Sequence, residues 1–83
     1  MMTAAQLRAA RALLGLDQKS LAEMAGVSVP TIQRMEACEG TVRVVVDSLE
    51  KVMNAFADAG VELIVEGAPS QGVGRGVRLL EKR

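Results

Sequence analysis

The chain has 83 residues and a formal net charge of zero, with ten basic and ten acidic side chains. That length holds one folded unit with a thin core, and the balanced charge argues against a basic protein that coats nucleic acid, although a local basic face remains open to it. One cysteine and no histidine exclude an internal disulfide and a zinc-finger ligand set.

No apolar run exceeds four residues, against the ~20 needed to span a bilayer, and there is no secretory hydrophobic region. With the lone thiol, this fits a protein of the reducing cytoplasm. Hydrophobic residues make up 49% of the chain, yet Phe56 is its one aromatic. The core must therefore be Leu, Val, Ile, Met and Ala, a mix that favours helices.

Thr3 and Gln6 have the spacing of a capping box and open a first helix over Ala4–Leu14. Leu7, Ala10, Leu14 and nearby Leu13 lie at helical spacing, with Arg8 and Arg11 on a neighbouring stripe. Gly15 ends it as a left-handed cap. Asp17 caps a second helix over Gln18–Ala25, with Leu21, Met24 and Ala25 inward and Lys19 and Glu23 outward. Gly26 breaks it. Ser28 caps a third helix, roughly Val29 to Ala37, with Pro30 in the first turn where its missing N–H is harmless. Ile32 and Met35 point inward, and Thr31, Gln33 and Arg34 outward. A fourth helix opens at Val45 or Asp47 and ends near Ala59, with Leu49, Val52, Met53 and Phe56 on its apolar stripe.

After Gly60 the period changes. Val61, Leu63 and Val65 alternate with Glu62, Ile64 and Glu66, the pattern of a strand. Residues 67–76 carry four glycines and Pro69 and read as a loop. Val77-Arg78-Leu79-Leu80 reads as a second strand. The expected architecture is mainly α, a helical domain over residues 1–60 followed by a short β-hairpin over residues 61–83. Two strands alone are marginal in water, so the hairpin is expected to lean on the helical body or on a second copy.

The segment Gln18–Met35 is the most informative. Two short helices meet at a tight turn, with small Ala22 where they approach, Gly26 for the positive φ and Val27 and Ile32 locking the crossing. Leu7-Arg8-Ala9-Ala10-Arg11, Gln18-Lys19-Ser20-Leu21-Ala22, Gly26-Val27-Ser28 and Thr31-Ile32-Gln33-Arg34-Met35-Glu36 together resemble the phage repressor and Cro (XRE) family of helix-turn-helix regulators. The resemblance covers roughly residues 4 to 59. It implies a four- to five-helix repressor-like domain and a cytoplasmic transcriptional regulator of double-stranded DNA, with the recognition helix at about residues 28–37 entering the major groove.

By that resemblance the DNA-facing residues are Gln18, Ser28, Val29, Pro30, Thr31, Gln33, Arg34 and Arg43. Arg34 suits a bidentate bond to guanine O6 and N7, and Gln33 an adenine or a phosphate. Val29 and Pro30 offer apolar contact only, to a thymine methyl for example; many relatives are polar there. Gln18 matches a phosphate-anchoring position, and Arg43 can reach backbone phosphate. Glu36 resembles a residue that pairs internally with an arginine, here Arg11; otherwise Arg8 and Arg11 read as a solvated stripe rather than a DNA contact.

Other features read blandly. Met24, Met35 and Met53 fill the core. Cys38 is passive, with no second thiol or basic cluster to activate it. Gly72-Val73-Gly74-Arg75-Gly76 lacks the spacing of a phosphate loop. Without histidine, and with Ser and Asp at helix caps, no catalytic constellation forms, and no cofactor, metal or small-molecule ligand is expected.

A homodimer on a (pseudo)palindromic operator is expected, because one recognition helix buries little surface. Met53, Phe56, Val61, Leu63, Ile64, Val65, Val77 and Leu79 are the candidate interface. The alternative is a protein-interaction module, an antitoxin or antiactivator that sequesters a partner protein.

Overall fold

The computed structural model describes residues 2–81. Four helices follow in order: α1 over Ala4–Leu14, α2 over Gln18–Ala25, α3 over Val29–Glu36 and α4 over Val46–Asp58. Side chains that satisfy the free backbone N–H groups of the first turn set three of the starts. Thr3 and Gln6 form the reciprocal capping box of α1, Asp17 accepts from the Ser20 amide, and Ser28 accepts from the Thr31 amide. α4 starts at Val45 with no side-chain cap, but Asp47 sits in its first turn, where the helix dipole favours an anion.

The ends obey the same accounting. Gly15 takes φ +67° and Gly26 φ +76°, the left-handed conformation that closes a helix. α4 ends when the Gly60 and Val61 amides turn back to the Ala57 and Phe56 carbonyls. α2 packs on α3 and on α4, and α1 packs on α3. Leu7, Leu21, Ile32, Met35, Val52 and Phe56 are wholly buried between them.

Two core residues lie outside the helices. Met2 and Val42 are buried because the connector after α3 folds back on the N-terminal segment. Thr3 and Thr41 form an antiparallel bridge, the Ala4 amide donates to the Gly40 carbonyl, and the Val42 amide donates to the Met2 carbonyl.

The C-terminal segment corrects the expected hairpin. Among the described residues there is no strand; residues 61–81 run without a ladder. The alternation at residues 61–65 serves a different purpose. Val61 and Leu63 pack on the helical core, and the Ile64 carbonyl accepts from Gln6 Nε2 at 2.8 Å. Glu62 turns its carboxylate to the Ser70 hydroxyl and to the Gln71 and Gly72 amides. Arg78 donates to the Val65 and Ala68 carbonyls. Side chains thus take the Ile64 and Val65 carbonyls, which a ladder would use. A ten-residue glycine-rich loop, unlike a two-residue turn, imposes no register.

Two inward assignments also change. Leu13 is 60% and Met24 44% exposed. On α1 the buried face is Ala4, Leu7 and Ala10, and on α2 it is Leu21 and Ala22.

Candidate nucleic-acid interface

Between α2 and α3 the chain uses only Gly26, Val27 and Ser28. Gly26 and Val27 both donate to the Ala22 carbonyl, which ends α2 and turns the chain into α3. Ala22 and Ile32 are buried where the helices meet.

A single carboxylate then ties three helices together. Glu36, at the end of α3, accepts from Arg11 Nε on Oε2 at 2.7 Å and from Arg11 Nη2 on Oε1 at 2.9 Å. Gln18 Nε2, at the start of α2, donates to the same Oε1 at 3.2 Å. Arg11 Nη1 continues to the Leu16 carbonyl in the α1–α2 turn. Arg8 Nη1 donates to the Glu36 carbonyl at 2.8 Å, satisfying a free acceptor at the negative end of α3. Burial alone would raise the Glu36 pKa, but the bonds from Arg11 and Gln18 and the charges of Arg11 and Arg8 hold it below the ordinary carboxylate value. The bond from Glu36 correspondingly raises Arg11. The Arg11–Glu36 pairing expected from the sequence is present, and Arg8 is an α3 C-terminal anchor rather than a solvated stripe.

Ser28, Pro30, Gln33 and Arg34 are exposed along α3 and Val29 is half-buried. Gln18 is half-buried beside this face, held by Glu36. Arg43 is exposed in the connector, where its amide donates to Cys38 Sγ at 3.4 Å and the thiol donates to the Arg34 carbonyl at 3.4 Å. The outward placement of Thr31 is overturned. It is 8% exposed, lying one turn before Met35 and beside Ile32 on the buried face. That i, i+4 relation to Met35 was available in the sequence; the polar side chain masked it. The Thr31 hydroxyl lies 2.9 Å from Ser28 Oγ and accepts from Arg34 Nη2 at 3.2 Å.

The interface residues expected for a second copy divide. Phe56 is wholly buried in its own core, and Met53, Val61 and Leu63 pack against that core. Phe56 therefore cannot face a partner, because α4 spends its apolar stripe on α2. Ile64 is half-buried, whereas Val65, Val77 and Leu79 are exposed.

Residues 7–41 match the helix-turn-helix family model. No curated protein matches the chain. The match begins within α1 and takes in α2, α3 and the turn described above, so the fold and the match agree on the class: a DNA-binding transcription regulator. More narrowly, residues 7–41 are similar to the helix-turn-helix of the XRE type expected from the sequence. Among the described residues no helix is long and apolar enough to cross a membrane.

Proposed function

We propose that the chain is a sequence-specific reader of double-stranded DNA that lays α3, within residues 28–37, in the major groove. On this reading it works in the cytoplasm, as a homodimer on a (pseudo)palindromic operator. The observation that carries the reading is that Ser28, Pro30, Gln33 and Arg34 are exposed on a helix tied through Glu36 to Arg8, Arg11 and Gln18. A rigid support of this kind lets a few side chains specify bases. On this reading Gln18 and Arg43 supply phosphate contacts, Val29 and Pro30 apolar ones.

The second copy is supported by an apolar face away from α3. Leu13, Val65, Val77, Leu79 and Leu80 are 49–100% exposed. Together with Ala5 and Ala9 they line one open groove of about 740 Å³. This face packs side chain on side chain and needs no strand pairing.

The test is a gel shift with the DNA upstream of the protein's own gene, at two salt concentrations. Salt-sensitive, sequence-dependent binding that R34A abolishes supports the reading. Absence of binding at either salt, with co-purification of another protein, would move the chain to the partner-sequestering class.

A further inference from the structure

We propose that Thr31 is a specificity-determining positioning residue that sets the Arg34 guanidinium for guanine. The inference rests on the DNA-binding reading above.

Thr31 is the buried polar side chain among the described residues. The fold does not need its hydroxyl, since Ser28 Oγ already accepts the Thr31 amide at 3.2 Å and caps the helix. A valine would fill the same space. The hydroxyl nevertheless sits 2.9 Å from Ser28 Oγ and receives Arg34 Nη2 at 3.2 Å. Ser28, Thr31 and Arg34 thus form a short chain whose far end is fixed to the backbone at the start of α3.

Two consequences follow for Arg34. Its long side chain is drawn back over the first turn of α3, the end that a helix of this class presents to base edges. One of the five guanidinium N–H groups is spent on Thr31, and the remaining four keep a fork for guanine O6 and N7. An arginine held in this way has less rotamer freedom to lose on binding than one that fans through solvent. Thr31 acts through Arg34 and need not touch DNA itself.

The experiment uses the full chain and duplexes enriched from a random library on the wild-type protein, with a scrambled duplex as control. Affinities are read by fluorescence anisotropy for T31V, T31S, T31A and R34A, with thermal melts of each. T31V is expected to weaken binding to the enriched duplex roughly tenfold, within the range of one bidentate base contact, and to leave the scrambled duplex unchanged. T31S is expected to retain both affinities. Replacing the contacted guanine with 7-deazaguanine removes the N7 acceptor and should erase most of the difference between T31V and wild type. T31A replaces T31V if the latter melts early.

Equal losses on both duplexes, a T31S as weak as T31V, or a T31V indistinguishable from wild type would each overturn the proposal. In the last case an enriched sequence still exists, so the DNA-reading function stands. If the wild type enriches no sequence and ignores duplex DNA, both fall together.

Discussion

Arg11 and Glu36 meet as a two-pronged ion pair, Nε to Oε2 at 2.7 Å and Nη2 to Oε1 at 2.9 Å, with side-chain exposures of 21% and 9%. Such a partly covered, bidentate pair is worth more than a solvated surface bridge. Its loss strands a guanidinium that also serves the Leu16 carbonyl. E36A is therefore expected to destabilise the fold by about 2 kcal/mol. Urea unfolding of E36A, R11M and the double variant would show this as a lower midpoint in each single variant and a smaller combined loss than the two added.

The same carboxylate predicts an acid limb. The pKa values of Glu36, Asp17 and Glu62 lie below their ordinary values of 4.5, 3.8 and 4.5. For Asp17 the first cause is the bond from the Ser20 amide, and for Glu62 that from the Gln71 amide. A depressed carboxylate binds its proton more readily when unfolded. Its contribution is complete above the unfolded pKa and disappears as pH falls through the folded one. Stability should hold level above about pH 5 and drop in more acid solution. E36Q should show a shallower drop, read as the urea midpoint against pH.

Gly26 tests the helix-turn-helix corner. Its φ is +76°, and a Cβ built there meets nothing within 4 Å. The cost of G26A is then conformational rather than steric, about 1 kcal/mol. For a domain near this size that corresponds to a fall of roughly 4–8 °C in melting temperature. A neutral G26A would show that the turn tolerates another backbone shape.

The apolar face on α1 and the C-terminal segment predicts an assembly variant. Leu79 is fully and Val77 84% exposed, so charged residues there should leave the helical core intact. V77E/L79E is expected to sediment as a monomer at concentrations where the wild type is dimeric, with an unchanged far-UV spectrum. Operator affinity should fall steeply because two half-sites are no longer bound at once. A wild-type chain that is monomeric at high micromolar concentration would remove this role from the face.

The four helices were legible because their signals are local. Thr3, Asp17 and Ser28 carry side chains of the right length to accept an amide three residues on, and Gly15 and Gly26 permit the closing φ. Glu36 and Arg11 were legible by resemblance. What escaped depends on packing between distant segments. Met2 and Val42 are buried because the connector returns to the N-terminus, and nothing nearby in sequence shows that return. Leu13 and Leu14 both fit the stripe of α1, and only the position of α3 decides between them. The alternation Val61-Glu62-Leu63-Ile64-Val65 was real, but a two-residue period states which side chains share a face, not whether a neighbouring strand exists.

Gln6 joins the two ends of the fold. Its Oε1 accepts the Thr3 amide while its Nε2 donates to the Ile64 carbonyl, 58 residues away. The first turn of α1 and the segment at Ile64 are therefore expected to open together. Solvent deuterium should enter the amides of that turn at the rate at which the C-terminal end detaches.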